Sequence, residues 1–322
     1  SYTITLGSEP SAPFDIALTF DPAQLVLNGD SDGVLTVTLN SGNYNTGVTV
    51  TVVAVDDTLV ETNPHTSLIV QTASSADPIY NVINPADVTV SITENDVAEI
   101  VLEGATSTVA EIDGQVNLTA RLNLISNGTP GGTLTGALTA QIELTSGTAS
   151  FGTDFGNGTV SVSFPNGTAH NATLPISIPI VNDRMLEAGE SFTVSLSLLA
   201  GNGSVSGANV VTITDDETGV FSFNLASDST PESTGTYNRF ARLTITGSGD
   251  GTTFRIQDAA SIALGSVPNT AGSPVDYSLI TTALNVPANA PSPLDMQVEV
   301  SIVDDALVEA DELFEVVFGS IA

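Results

Sequence analysis

Short alternations of apolar and polar residues, separated by turn residues, run along the whole chain. Residues 2–6, 15–20 and 33–39 each place apolar side chains at every second position, which is the period of a strand with one buried face, and residues 66–72 are predicted as a further strand. Turn signals such as Asn28-Gly29-Asp30 separate these stretches. No stretch keeps a sustained helical period. The pattern therefore predicts an all-β protein, with about seven short strands per unit as in an immunoglobulin-like antiparallel β-sandwich.

A short acidic stretch occurs three times, each time at the end of an apolar strand. A pair of Asp or Asn-Asp residues comes first and a Glu follows four residues after the last Asp: Asp56-Asp57 with Glu61, Asn182-Asp183 with Glu187, and Asp304-Asp305 with Glu309. The second aspartates are 183 − 57 = 126 and 305 − 183 = 122 residues apart. A further Glu follows three residues later in two copies, at Glu190 and Glu312.

A second acidic cluster repeats behind the first, after the next apolar strand. It comprises Glu94, Asn95 and Asp96 in one copy and Asp215, Asp216 and Glu217 in the next, with 216 − 96 = 120. Recurrence at a fixed period indicates a tandem array of one domain type. We predict three units, at residues 1–97, 98–217 and 218–322, a size that suits single-core domains.

The two ends of the chain differ from the middle. The second unit has an opening strand before Glu111 and a closing strand before Asp215, whereas the first unit has no counterpart of that opening strand and the third none of that closing strand. We expect the first and last sandwiches to be one strand short. The chain is then a piece of a longer protein, or neighbouring copies supply the missing strands by β-strand addition.

Charge narrows the range of partners. The chain has 37 acidic residues against 5 Arg, no Lys and a net charge of −32. Nucleic acid and anionic membrane surfaces are poor partners for such a chain, and no apolar run is long enough for membrane insertion. One interpretation of the charge is a solvated acidic surface. Because many of the acids lie in the repeated clusters, we favour a divalent cation that neutralises them.

The ligand type indicates Ca²⁺. This ion takes six to eight hard oxygen ligands, often carboxylates. Acids at strand ends of a sandwich converge at one pole, so the clusters of each unit are predicted to share a site. The candidate ligands identified in this way are Asp56, Asp57, Glu61, Glu94, Asp96, Asn182, Asp183, Glu187, Glu190, Asp215, Asp216, Glu217, Asp304, Asp305, Glu309 and Glu312.

These motifs resemble the Calx-beta domain, a family named from sodium–calcium exchangers and common in large bacterial surface proteins. The resemblance covers the whole second unit and most of the other two. It implies further calcium ligands: a Glu after the first strand, matched by Glu111 and Glu232, and an Asp before an aromatic residue, matched by Asp154 and Asp276. The first unit departs from the pattern, since Pro64 stands where the second Glu is expected.

We do not expect an enzyme. Only His65 and His170 could serve as general bases, and neither lies near a nucleophile motif. The absence of Cys excludes disulfides and thiolate metal sites. The second unit carries Asn-X-Ser/Thr sequons that are glycan acceptors in a glycosylating organism and ordinary hairpin turns otherwise, at Asn117, Asn127, Asn157, Asn166, Asn171 and Asn202.

Two functions remain open. The first is a structural, Ca²⁺-stabilised segment of an extracellular bacterial surface filament, adhesin or surface layer, with copies of itself or other surface proteins as partners. The second is a Ca²⁺-regulated binding or sensor module of a larger protein. The short junctions at Val97-Ala98 and Thr218-Gly219 favour the first, because a bound ion there would lock neighbouring units together.

Overall fold

A computed structural model describes all residues, 1–322. It is built from strands and two 3₁₀ turns, so the predicted all-β class is confirmed. We keep the predicted limits 1–97, 98–217 and 218–322 as names for the first, second and third units. No helix in the chain has the length and hydrophobicity that crossing a bilayer would require.

The first unit packs a four-stranded sheet against two short strand pairs. Its strands are β1 (Tyr2–Ile4), β2 (Phe14–Thr19), β3 (Leu25–Leu27), β4 (Val34–Leu39), β5 (Val48–Val50), β6 (Val52–Ala54), β7 (Leu59–Val60), β8 (His65–Ser75) and β9 (Val88–Ile92). The sheet order is β4-β2-β8-β9, and the pairs are β1-β5 and β3-β6. Alternate residues of β2 are buried, as the apolar–polar alternation predicts.

The second unit is a sandwich of two five-stranded sheets. Its strands are β10 (Val97–Leu102), β11 (Thr106–Ala110), β12 (Gln115–Ser126), β13 (Thr129–Pro130), β14 (Thr133–Leu134), β15 (Leu138–Ser146), β16 (Ser161–Phe164), β17 (Thr173–Pro179), β18 (Met185–Leu186), β19 (Glu190–Ala200), β20 (Ser204–Ser206) and β21 (Ala208–Thr214), with a 3₁₀ turn at Glu111–Asp113. One sheet has the order β13-β12-β10-β20 with β17 also on β12, and the other the order β11-β21-β19-β15-β16.

The third unit repeats this plan. Its strands are β22 (Thr218–Phe223), β23 (Thr236–Thr246), β24 (Arg255–Ile256), β25 (Ala260–Pro268), β26 (Tyr277–Leu279), β27 (Ala283–Val286), β28 (Leu294–Ile302) and β29 (Phe314–Ile321), with a 3₁₀ turn at Glu232–Thr234. The sheets are β22-β23-β28-β26 and β27-β25-β29.

Each unit buries its own core, and the cores differ in size. The second unit has the largest cluster, 25 buried residues, and all but Val60 come from that unit itself. The first unit buries a cluster of 12 residues. In the third unit the buried residues form separate clusters of 5, 4 and 3 residues. The second sandwich therefore has the most apolar surface to stabilise it.

Neighbouring units are joined by a short parallel strand pair as well as by the covalent chain. At the first junction β7 pairs with β14, with Leu59 opposite Thr133 and Val60 opposite Leu134. At the second junction β18 pairs with β24, with Met185 opposite Arg255 and Leu186 opposite Ile256. In both cases the inserted strand follows the repeated Asp pair, so the acidic stretch lies at the contact between units.

Candidate calcium site at the second junction

Carboxylates from four separate segments converge where the second unit meets the third. Glu111 lies in the 3₁₀ turn before β12, and Asp154 lies in the loop after β15. Glu187 follows β18 and Glu190 begins β19, while Asp215 and Glu217 follow β21. Oxygens of Glu111, Asp215 and Glu217 lie within 4.8 Å of one another, and oxygens of Asp154, Glu187 and Glu190 form a second such group.

Aromatic packing and backbone hydrogen bonds fix Asp154. The ring of the next residue, Phe155, is buried and stacks on Phe192, with centroids 4.0 Å apart and planes 10° from parallel. The Asp154 Oδ2 atom accepts a hydrogen bond of 2.5 Å from the Ser150 amide, and its carbonyl accepts one of 2.9 Å from the Val181 amide. The Asp–aromatic motif thus serves two roles, since the ring fills the core while the acid faces the site.

Asp215 links the two acidic stretches through the backbone. Its Oδ2 accepts from the Glu187 amide at 2.8 Å and its Oδ1 from the Glu217 amide at 3.1 Å. Asp183 Oδ1 accepts from the Met185 amide at 2.6 Å and so closes the turn that leads into β18. These bonds orient the acidic side chains in the folded chain before any ion binds.

Several buried oxygens of this cluster have no hydrogen-bond donor. They are Glu111 Oε2, Asn182 Oδ1, Glu190 Oε2, Asp216 Oδ1 and both carboxylate oxygens of Glu217. The Glu111 and Glu217 side chains are only 4% and 7% exposed. A buried carboxylate without a partner is strongly unfavourable, so the cluster requires protons or a cation.

The raised pKa values of the acids also indicate that the cluster requires protons or a cation. Burial, reinforced by Asp215 and Asp183, raises the pKa of Glu111 to about 7. Burial and the neighbouring Glu190 raise the pKa of Glu187 to about 8, and burial with Asp215 and Asp216 raises that of Glu217 to about 8. Burial and Asp154 raise the pKa of Glu190 to about 7. Like charges that are crowded and desolvated account for all four.

A loop of the third unit closes over this cluster. Ser248 donates to Asp216 Oδ2 through its hydroxyl at 2.8 Å and through its amide at 3.2 Å. A Cβ atom at Gly247 would lie 2.4 Å from Glu217 Oε1, and one at Gly249 would lie 1.7 Å from the Asp183 carbonyl oxygen. Only glycine fits at these two positions, so the loop is shaped to the acidic surface of the second unit.

The donor set fits Ca²⁺. All candidate ligands are carboxylate or amide oxygens from several loops, which matches the hard, flexible coordination of this ion. No His nitrogen or Cys sulfur, the usual zinc donors, belongs to either group. The unpartnered oxygens of Glu111 and Glu217, which belong to one group, are atoms that would hold the ion.

The first junction uses the same backbone construction with different side chains. The Glu61 amide donates to Glu94 Oε2 at 3.0 Å and the Asp96 amide to Glu94 Oε1 at 2.8 Å, the same two bonds that Asp215 receives. The Val55 amide donates to the Gln24 carbonyl at 2.9 Å, as Val181 does to Asp154. Glu94 is therefore the structural counterpart of Asp215. The sequence period of 120 residues aligns Asp96 with Asp216 instead, so the two alignments differ by one residue.

Strand register identifies a further substitution at the first junction. His65 pairs with Ile92 on β9, as Glu190 pairs with Ile213 on β21. His65 Nε2 lies 2.6 Å from Gln24 Oε1 and 3.2 Å from Glu61 Oε2, and Gln24 Nε2 donates to Glu61 Oε1 at 3.2 Å. Gln24 and His65 thus replace Asp154 and Glu190, and they satisfy Glu61 by hydrogen bonding.

The third unit repeats the geometry of the second without a following unit over it. Tyr277 stacks on Phe314 at 3.9 Å, and Asp276 Oδ2 accepts from the Gly272 amide at 2.6 Å, as in the Asp154 motif. Oxygens of Asp276, Glu309 and Glu312 lie within 4.8 Å of one another. Glu309 and Glu312 are exposed, although partial desolvation, together with neighbouring acids, still raises the pKa of both.

The predicted ligands therefore divide into three sets. The structure groups Glu111, Asp154, Glu187, Glu190, Asp215 and Glu217 at the second junction, Glu61 and Glu94 with His65 at the first, and Asp276, Glu309 and Glu312 in the third unit. Asp183, Asp216, Glu232 and Asp305 lie outside the groups but raise the pKa of group members electrostatically. The other predicted ligands also lie outside the three groups: Asp56, Asp57, Asp96, Asn182 and Asp304.

Sequence reasoning missed three side chains of these junctions: Gln24, His65 and Ser248. The three-residue spacing of Glu187 and Glu190, applied to Glu61, points to Pro64. His65 lies one residue beyond that position. Strand pairing, not spacing, reveals it. Gln24 and Ser248 carry no charge and lie in turns, so no sequence signal marked them.

A sandwich with converging carboxylates at its end defines a calcium-binding module. The Calx-beta domain family model matches residues 93–217 and 215–321. The chain therefore belongs to the Calx-beta family and carries its domains in tandem. Calx-beta domains bind calcium and are regulatory rather than catalytic modules.

Solved structures give weaker likenesses. The chain is similar to the crystal structure of CBD12 from CALX1.2, with 22% identity, a TM-score of 0.31 and coverage of 69% of this chain and 80% of that one. It is also similar to the apo-form Calx CBD1 domain, with 24% identity, a TM-score of 0.32 and coverage of 37% and 98%. No curated protein matches the chain.

Proposed function

We propose that the chain is a structural segment of an extracellular bacterial surface filament, adhesin or surface layer, in which Ca²⁺ fixes the angle between units. The observation that carries this is the contact of Ser248 with Asp216, which brings a loop of the third unit onto the acidic cluster of the second. An ion bound to Glu111, Asp215 and Glu217 would hold that cluster together beneath the loop.

The absence of free linker supports a stiff segment. Leu186 packs against the buried residues of the third unit, and Val60, 4% exposed, is part of the core of the second. The Arg184 guanidinium lies over the Phe254 ring at 5.0 Å, and its Nε donates to the Gly249 carbonyl at 3.0 Å. Neighbouring units thus share packing and backbone pairing beside a candidate ion site, which suits a load-bearing array.

The net charge and the absence of Cys are compatible with an extracellular location. A charge of −32 opposes compaction unless cations neutralise it, and extracellular modules bind Ca²⁺ with dissociation constants of roughly 10⁻⁴–10⁻³ M. We propose copies of this chain or other surface proteins as partners. We propose neither nucleic acid as a partner nor insertion into a membrane. Glycans on the Asn-X-Ser/Thr sequons would depend on the source organism.

The alternative is a Ca²⁺-regulated sensor module, and the calcium affinity distinguishes the two. Sensor sites work at roughly 10⁻⁷–10⁻⁵ M and extracellular structural sites at roughly 10⁻⁴–10⁻³ M. Calorimetric titration of the chain should give a dissociation constant in the second range. Small-angle scattering should show a longer maximum dimension with Ca²⁺ than in EDTA. A micromolar constant with an unchanged maximum dimension would favour the sensor.

A further inference from the structure

The same turn follows the Asp pair in all three units. Asp57 Oδ1 accepts from the Leu59 amide at 2.8 Å, Asp183 Oδ1 from the Met185 amide at 2.6 Å, and Asp305 Oδ1 from the Leu307 amide at 2.6 Å. One residue later each unit presents an aliphatic side chain: Val60, Leu186 and Val308. The three turns therefore display equivalent apolar segments.

Two of these segments are inserted into the next unit. The Thr133 amide donates to the Thr58 carbonyl at 3.1 Å, and the Arg255 amide donates to the Arg184 carbonyl at 2.9 Å. Two residues further along the receiving edge, a second amide donates to the Val60 or the Leu186 carbonyl, at 3.4 Å and 3.0 Å. Each receiving edge ends four residues before the long strand that follows it, β15 or β25.

The third segment has no such receiver. Leu307 is 65% exposed and Val308 is fully exposed, at 103%. No backbone amide of the chain donates to the Ala306 or Val308 carbonyl, the positions that receive hydrogen bonds in the other two units. An exposed aliphatic pair beside unpaired carbonyls, in a turn that is already closed, is a preformed strand-addition segment.

We propose that Ala306, Leu307 and Val308 dock onto the free receiving edge of another Calx-beta domain. This proposal rests on the proposed function, because it extends the same junction beyond the third unit. The two junctions within the chain show the chemistry of the partner: two backbone amides two residues apart and an apolar pocket that accepts Val or Leu. Continuity with these junctions selects this partner over other apolar surfaces.

An unaltered second copy of the chain does not offer such an edge. Strand register aligns Phe14 with Leu138 and Ala260, so Ser11 of the first unit corresponds to Thr135 and Gln257. The Ser11 amide already donates to Asp77 Oδ2 at 2.7 Å. The edges of the second and third units are filled by β7 and β18. The full chain should therefore not associate with itself through this segment.

Removing the first unit provides a suitable probe. A fragment of residues 98–322 that carries Leu307→Asp/Val308→Asp lacks β7, which leaves the edge at Thr133 and Leu134 free, and it has no docking segment of its own with which to self-associate. All members of the second unit's core except Val60 remain in it, so that unit retains its own core. Labelled full chain is titrated with this fragment in Ca²⁺ and 0.15 M NaCl, and binding is followed by fluorescence anisotropy and analytical ultracentrifugation.

We expect the full chain to bind the fragment. The double substitution Leu307→Asp/Val308→Asp in the full chain should weaken binding by at least roughly tenfold, or about 1.4 kcal/mol. Leu313→Asp is the matched control, since Leu313 is 60% exposed and lies outside the segment; it should leave binding unchanged. No binding by a fragment with a cooperative melt, or equal binding by the double variant, would overturn the proposal.

If the fragment fails to fold, a second variant tests the same proposal in the full chain. Leu59→Asp/Val60→Asp in the full chain undocks β7 and frees the same edge, so this variant should self-associate. Adding Leu307→Asp/Val308→Asp should return it to a monomer, and a variant that stays monomeric without that addition contradicts the proposal. Calcium-dependent melting of the unmodified chain reports separately on the proposed function.

Discussion

The first and second junctions have the same backbone and different side chains, and the comparison shows how one interface can be made with or without an ion. Both insert a two-residue strand and tie its end to an acid in the next stretch, Glu94 or Asp215. At the second junction Asp154, Glu187 and Glu190 face one another, and buried oxygens lack donors. At the first, Gln24 and His65 donate to or accept from their neighbours instead.

The residues that cover the two junctions also differ in charge. Ser248 donates to Asp216 at the second junction, whereas at the first the Asn95 amide group donates to Asp56 at 3.2 Å and to Asn127 Oδ1 at 3.3 Å. Neutral amides replace a carboxylate here, and the unpartnered buried carboxylate oxygens fall to one, Asp96 Oδ2. We infer that the second junction needs Ca²⁺ to neutralise it and that the first is stable without it.

The largest expected effect is loss of the calcium response on altering the second junction. Glu187→Gln should abolish most of the rise in melting temperature that Ca²⁺ gives the wild type. A ligand at a hundredfold excess over its dissociation constant adds about 2.7 kcal/mol to the free energy of unfolding. Differential scanning calorimetry in EDTA and in millimolar Ca²⁺ measures this effect.

The matched control for that experiment is Glu61→Gln, at the equivalent position of the first junction. It should keep the full calcium response because Glu61 is already satisfied by Gln24 and His65. Equal loss of the response in both variants would show that the junctions do not differ in the way described. A wild type with the same melting temperature in EDTA and in Ca²⁺ would contradict the proposed calcium site itself.

The next effect is on the pH dependence of stability in EDTA. The pKa values of Glu187 and Glu217 are raised to about 8 in the folded chain, from about 4.3 when unfolded. Between these values the folded form binds more protons than the unfolded form, so stability falls as pH rises through this window. We expect the melting temperature in EDTA to drop between roughly pH 5 and pH 8, the span of the pKa shift.

Two comparisons make the pH experiment specific. Glu187→Gln/Glu217→Gln should flatten the slope in EDTA, because these side chains then no longer titrate. In Ca²⁺ the slope should weaken or reverse, since the ion binds the deprotonated acids. A wild-type slope in EDTA no steeper than that of the double variant would contradict the pKa argument.

A smaller effect is expected from converting the first junction into the second. Gln24→Asp with His65→Glu places an Asp and two Glu side chains as at Asp154, Glu187 and Glu190. We expect this variant to be less stable than wild type in EDTA and to recover in Ca²⁺, with a second binding event in calorimetry. Gln24→Asn with His65→Gln serves as the uncharged control. Unchanged stoichiometry in the charged variant would show that other residues define the site.

The sequence predicted the strands, and it pointed to acids that the structure groups at the second junction, because both follow from local patterns. The alternation along β2 and β12 reports burial directly, and the repeated Asp pair marks the same turn in three units. The short strand Arg255–Ile256 has no period of its own in the sequence, because it is defined by pairing with another unit. That contact is invisible to a local period.

The junction side chains show the same limit. His65 corresponds to Glu190 only through its strand partner Ile92, since one extra residue separates it from Glu61. Gln24 reaches the site from a turn about forty residues earlier in the chain, a distance that only the fold closes. The domain limits, the extracellular location and the partners stay predictions.

Hydrogen exchange at matched amides tests the central difference most directly. The amides of Met185, Glu187, Glu217 and Ser248 donate to carboxylates of the second junction. Their counterparts Leu59, Glu61, Asp96 and Asn127 donate in the same way at the first. We predict that Ca²⁺ slows exchange in the first set by at least roughly tenfold and leaves the second set unchanged. Equal protection of both sets, or of neither, would contradict the account.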